Sequence, residues 1–196
     1  MKNTLQIVST AALLAALAPV ACATPSDMAA APATVQAPAA ITEAEVIAAQ
    51  NAWGDALVKI ATTYDTKGIE EARKVAEGII EAAYNYEEGP VLFKPTLAAP
   101  PATFRTTAEG ALSYFVGQNA TYPGDSGFAL KGWRSYSIEN AAIYINGDTA
   151  ISMGNVHVTD AAGNTTTVDK TWAWTRADDG SLQLVLHHSS LPYSAD

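Results

Sequence analysis

The stretch Ala141-Ala-Ile-Tyr-Ile-Asn-Gly-Asp-Thr149 decides the fold class of this chain. An apolar run ends in Asn146-Gly-Asp148, the turn chemistry that closes an antiparallel hairpin, and Thr149 to Thr159 follows as the returning partner, with His157 in it. The pattern repeats outward. Trp133 to Ile138 alternates before it; Ala162-Gly-Asn164 turns into Thr165 to Arg176; Asp178-Asp-Gly180 turns into Ser181-Leu-Gln-Leu-Val-Leu-His-His-Ser-Ser-Leu-Pro-Tyr193. Consecutive strands joined this way predict a meander. Trp172 and Trp174 share one strand face as core or interface, and Ala173 and Thr175 take the other.

The last strand carries the polar chemistry. Strict alternation puts Leu182, Leu184, Leu186, His188 and Ser190 on one face and Gln183, Val185, His187 and Ser189 on the other, so each face receives one imidazole and one hydroxyl. Pro192 ends the pairing. Such groups either line a pocket or satisfy the end of a strand.

The first half of the chain is helical. Thr42 and Glu45 form a capping-box pattern, and Val46, Ala49, Trp53, Leu57, Ile60 and Tyr64 recur at helical spacing. A second helix runs from about Lys67 to Tyr86 on a stripe of Ile69, Ala72, Ala76, Ile79, Ile80 and Ala83, and Gly89-Pro90 stops it. Val91 to Thr96, broken by Pro95, predicts an edge strand or an extended arm. Thr106-Thr-Ala-Glu109 opens a short helix carrying Ala111, Leu112, Phe115 and Val116, with Tyr114 off its main stripe and Gly117 as C-cap. Helices first and a curved meander afterwards describe an α+β fold, the helices packed on one sheet face and a cavity at the open end.

The 196 residues, 48% apolar, suit one domain with processed or flexible ends. A net charge of −9 argues against nucleic acid or an anionic membrane surface as partner. Lys2, the apolar run Ile7 to Leu17 and Ala21-Cys22-Ala23 read as a secretory signal over 1–23, too short in its apolar core to span a bilayer. Export, most simply to a periplasm, is the expectation, with lipidation of Cys22 as the second branch. Cleavage after Ala23 removes the one cysteine and Lys2, leaving ten cations against 20 acids and no thiol for a disulfide or a metal. Residues 24–40, rich in Ala and Pro, read as a disordered linker, and 41–196 as the folded domain.

Five segments add a resemblance. Phe93-Lys-Pro-Thr96, Leu112-Ser-Tyr-Phe-Val-Gly117, Gly127-Phe-Ala-Leu130, Met153-Gly154 and Leu186-His-His-Ser-Ser-Leu-Pro-Tyr193 look like those of the iota-class carbonic anhydrases, in order and at similar spacing from Ile41 to Tyr193. The resemblance implies an NTF2-like cone related to the calmodulin-dependent kinase association domain. It also implies a homodimer, and reversible hydration of carbon dioxide to bicarbonate. By that resemblance Thr96, Tyr114 and Ser189 line the cavity with His187 near them; Ser190, His188 and Arg105 stand as substrate-binding candidates, and Lys94 as a second cation able to meet an anion.

Hydration needs a hydroxide-like nucleophile. A zinc ion lowers bound-water pKa from 15.7 to about 7, worth roughly 12 kcal/mol, whereas one oxyanion donor is worth about 2.7 to 4 kcal/mol. Hydroxyls alone approach that scale only if several converge in a dry site. His157, His187 and His188 are the nitrogen donors present, and the adjacent pair faces opposite ways, so the expectation is activity without metal or other cofactor. His187 is the candidate proton acceptor. The alternative reading is a non-catalytic exported NTF2-like domain that binds a small ligand or serves oligomerisation.

Overall fold

The structure, a computed structural model, describes residues 39–195. The expected leader 1–23, Cys22 and almost all of the expected linker 24–40 lie outside the described residues. In chain order the elements are α1 (Glu43–Lys67), α2 (Ile69–Ala83), β1 (Leu92–Lys94), α3 (Ala108–Val116), a 3-10 turn (Phe128–Leu130), β2 (Trp133–Asn146), β3 (Thr149–Asp160), β4 (Thr165–Arg176) and β5 (Leu182–Ser190). The sheet order is β1-β5-β4-β3-β2: a four-stranded antiparallel meander to which β1 adds as a parallel edge.

The capping box forms as expected, with Thr42 Oγ1 accepting from the Glu45 amide at 3.3 Å and the Thr42 amide donating to Glu45 Oε2 at 2.8 Å. Arg176 also binds Glu45, at 2.9 Å, and its hydrogen bond is the main reason that carboxyl is lowered to about 2. Along α1 the buried side is Val46, Gln50, Trp53, Gly54, Leu57, Ile60 and Ala61, while Tyr64 is exposed. At α3 the cap moves by one residue and the reciprocal bond of the box is lost, since Gly110 rather than Glu109 stands at N3. Thr107 rather than Thr106 is the N-cap, accepting from the Gly110 amide at 3.2 Å. The second helix ends three residues earlier than its periodicity suggests, because Tyr84 turns extended, caps Ile80 and bridges to Leu184.

Two of the sheet's three register shifts set which side chains of β2 and β5 face the helices beyond them. In β2 an extra residue, Ala141, interrupts the ladder between Asn140 and Ala142, so the two stretches with different phase are one bent strand. Before it Tyr136, Ile138 and Asn140 stand opposite the inner residues of β3; after it Ile143 and Ile145 do. In β5 the extra residue is Val185, between Leu184, paired with Trp174, and Leu186, paired with Ala173. A bulge re-aims the side chains beyond it. Strict alternation would separate Leu184 from His187 and Ser189; the bulge puts all three on the buried face, opposite Trp174, Trp172 and Lys170 respectively.

Gly154 completes this arrangement. It lies in register with Asn140 on one side and Lys170 on the other, and a Cβ there would stand 2.0 Å from the Glu139 carbonyl. Only glycine permits that approach at the β2 bulge.

Candidate active site

Thr96 lies two residues beyond β1. Pro95 cannot donate to a ladder, so the strand stops at Lys94 and the chain turns at Thr96 and Leu97. The parallel register Phe93 to His187 and Lys94 to His188 carries that turn to the end of β5. Thr96 Oγ1 and Ser189 Oγ lie 2.5 Å apart, with Ser189 1% exposed. The Tyr114 phenol reaches the same turn from α3, accepting from the Leu97 amide at 3.4 Å. Burial pushes this phenol up to about 12, Thr96 and the Leu97 amide beside it pulling the other way, so it keeps its proton at neutral pH. Lys94 Nζ donates to the Ser189 carbonyl at 2.9 Å and steadies the strand end.

The three hydroxyls therefore share one corner. Thr96 and Ser189 spend one O–H on each other, which leaves one of their hydrogens and that of Tyr114 without an acceptor among the described residues.

His187 is committed to other partners. It is 1% exposed, and both ring nitrogens are engaged: Nδ1 with Tyr84 Oη at 2.9 Å, Nε2 with Lys170 Nζ at 2.6 Å. Burial first, then Lys170 and His188, hold it well below the ordinary histidine range. It stays neutral and has no nitrogen left to take a proton from the hydroxyl corner. Its ring lies flat on Phe93, centroids 4.5 Å apart, and edge-on to Trp53.

The three substrate-binding candidates lie elsewhere. His188 is exposed and Ser190 half-buried, both on the outer face of β5, because the face alternates again beyond the bulge. Arg105 is buried, but its guanidinium is committed to Asp125 at 2.6 Å, to the Ala102 carbonyl and to the face of Tyr122 at 4.4 Å. Asp125 also accepts from Ser113 at 2.6 Å, so Arg105 braces α3 from outside the hydroxyl corner. His157 is likewise occupied, with Thr167 at 2.8 Å. Among the described residues no group of three or more His, Cys, Asp or Glu is placed to hold a metal ion.

Sequence reasoning missed Lys170. It is 4% exposed, paired in register with Ser189, and lies over Trp53 at 4.4 Å and Trp172 at 5.6 Å. Burial holds its amine well below the usual lysine range. A cation–π contact returns about 2 kcal/mol when desolvated, less than the several kcal/mol lost by dehydrating an ammonium, so burial wins. Tyr84 and Gln50 were missed too. Gln50 exchanges amide hydrogen bonds with Asn140 at 2.8 Å and reaches Ser152 at 2.9 Å, tying α1 to the β2 bulge. The available signal was alternation: Lys170 occupies an inward position between Val168 and Trp172.

Comparisons with known proteins identify the family. The family model described as metal-independent carbonic anhydrase matches residues 44–191. This chain belongs to that family. A metal-independent carbonic anhydrase from Nostoc sp. (strain PCC 7120 / SAG 25.82 / UTEX 2576) is 60% identical over 154 residues, 79% of this chain and 75% of that protein. The crystal structure of an iota-carbonic anhydrase from a cyanobacterium, complexed with bicarbonate, is 60% identical, covers 80% of this chain and 95% of that one, and superposes with a TM-score of 0.79. A putative calcium/calmodulin dependent protein kinase II association domain from Xanthomonas campestris, 20% identical over 82% of this chain and 97% of that one at a TM-score of 0.50, shares the fold alone. The α+β architecture is NTF2-like, and the chain is an iota-class, metal-independent carbonic anhydrase, a lyase.

Proposed function

We propose that Thr96, Tyr114 and Ser189 are the reacting site of this carbonic anhydrase, and that the work is done by hydroxyl donors. The 2.5 Å contact between Thr96 and Ser189, beside a phenol that stays protonated, is the observation that carries this reading. Two hydroxyls in direct contact leave no room between them, so carbon dioxide and the attacking water lie against the pair. As the water oxygen bonds to carbon, one O–H bond of that water breaks and charge develops on the carbon dioxide oxygens. The Tyr114 hydrogen and the free hydrogen of the Thr96–Ser189 pair meet that charge. Two such donors supply roughly 5 to 8 kcal/mol, and holding the reactants in contact supplies much of the rest. The proton leaves to solvent or buffer, since His187 has no free nitrogen. Support also comes from the relative solved with bicarbonate, the product of this chemistry.

Stopped-flow hydration assays on the full chain and on Ser189→Ala, Thr96→Ala and Tyr114→Phe test the assignment. Loss of rate in all three supports it, and wild-type rates in all three would remove it.

The finer setting is proposed with it. Export to a periplasm rests on Lys2, Ile7 to Leu17 and Ala21-Cys22-Ala23, and fractionation of cells expressing the full chain tests it. A homodimer through the outer face of the sheet rests on Tyr144, Ile151 and Met153, which are 64%, 41% and 59% exposed and contiguous across β2 and β3. Light scattering of wild type and Ile151→Lys tests that, a monomeric wild type being the contrary result.

A further inference from the structure

Beneath the hydroxyl corner runs a buried chain of four side chains. Trp53 Nε1 donates to Tyr84 Oη at 3.1 Å; Tyr84 Oη meets His187 Nδ1 at 2.9 Å; His187 Nε2 meets Lys170 Nζ at 2.6 Å. Its direction follows from what each group can do. An indole N–H only donates, so the phenol oxygen accepts at that end. Tyr84 is 1% exposed, and among the described residues its remaining partner is His187 Nδ1, so its hydrogen goes there. The opposite assignment would leave a buried O–H with no acceptor. Nδ1 is therefore the lone-pair nitrogen, Nε2 carries the hydrogen, and Lys170 Nζ receives it. Burial of the amine agrees with that order.

The chain ends on the seat of β1. That strand is three residues long and lies at the sheet edge. Phe93 stacks on the His187 ring at 4.5 Å and 19°, and three residues later Thr96 must arrive at 2.5 Å from Ser189. A ring free to flip or to exchange tautomers would tilt that seat.

We propose that Lys170 is a positioning residue for the hydration site: as terminal acceptor of the one-way chain Trp53 to Tyr84 to His187, it locks the imidazole plane on which Phe93, and through it Thr96, is seated. The inference rests on the reading of Thr96 and Ser189 as the reacting hydroxyls, but its first readout is independent of them.

That readout is nitrogen NMR on the 15N-labelled full chain at pH 7.5, with His187 assigned by comparison with His157→Gln and His188→Gln. The expected result is a protonated Nε2 and a lone-pair Nδ1 in the wild type. Tyr84→Phe should mix the tautomers, and both it and Lys170→Met should lower kcat about tenfold to hundredfold, the scale of a small misplacement, with KM nearly unchanged. A protonated Nδ1 in the wild type overturns the proposal, as do wild-type kcat values in both variants. If Lys170→Met does not fold, the wild-type spectrum and Tyr84→Phe decide. Activity lost in Thr96→Ala but kept in Tyr84→Phe would sink the chain and spare the hydroxyl site.

Discussion

The Ser189 hydroxyl and the His187 imidazole stand two residues apart on the same face of β5, equally buried, and are used in opposite ways. The hydroxyl corner leaves hydrogens free; the imidazole chain leaves no nitrogen free. The difference lies in the neighbours. Ser189 faces the Thr96 turn, which the Tyr114 phenol of α3 also reaches, whereas His187 faces a phenol on one side and an amine on the other, each at hydrogen-bond distance. Burial alone does not mark a residue as reactive. What marks it is burial with hydrogen-bonding capacity left over.

The comparison breaks most completely if the phase of β5 is shifted beyond the bulge. One alanine inserted between Leu186 and His187 moves His187 and Ser189 to the face opposite Leu184, because a one-residue slip turns over every side chain after it. Carbon dioxide hydration by the insertion variant should be abolished, and a rate near wild type would show that the facing of His187 and Ser189 does not build the site. The next effect sharpens the hydroxyl side: Ser189→Ala and Thr96→Ala should each lower kcat/KM by about 10² to 10³, the cost of one oxyanion donor, with urea midpoints close to wild type. A third measurement separates the corner from the chain by proton traffic. With the imidazole occupied, kcat should rise with buffer concentration in the wild type, and a buffer-independent kcat would point to an internal acceptor.

A smaller effect belongs to the chain. Trp53→Phe removes the donor that sets its direction and should cost about 1 to 3 kcal/mol of stability in urea titration. The smallest is a pH shift. Buried Tyr84 and Tyr114 and half-buried Tyr86 all bind their protons more tightly in the folded state than the ordinary phenol value near 10. Their contribution to stability is thus complete below about pH 10 and is lost as pH rises through their folded values. Absorbance at alkaline pH should show them ionising above the ordinary phenol value near 10, and ionisation at that value would contradict their burial.

Much of the fold was legible because local chemistry is strong at its turns and caps. Asn146-Gly-Asp148 and the Thr42–Glu45 box form as written, since turn geometry and orphan amides are satisfied within a few residues. The short edge strand at Phe93 was legible from Pro95 alone. The slip from Thr106 to Thr107 was not, because either threonine can offer its oxygen to an amide three residues on, and packing chooses. The end of α2 was hidden for a related reason: Tyr84 leaves the helix to place its phenol between Trp53 and His187.

For the site, the amino-acid order by itself determined which hydroxyls were available and that the meander would bring the end of the chain beside its core. Alternation and turns act over a few residues, and they are written locally. Tertiary structure decided the rest. The bulges at Ala141 and Val185 choose which face each side chain takes, and the buried amine of Lys170 chooses what His187 can do. The two hydrogen-bond partners of His187 stand 17 and 103 positions away, and no local pattern carries separations of that kind.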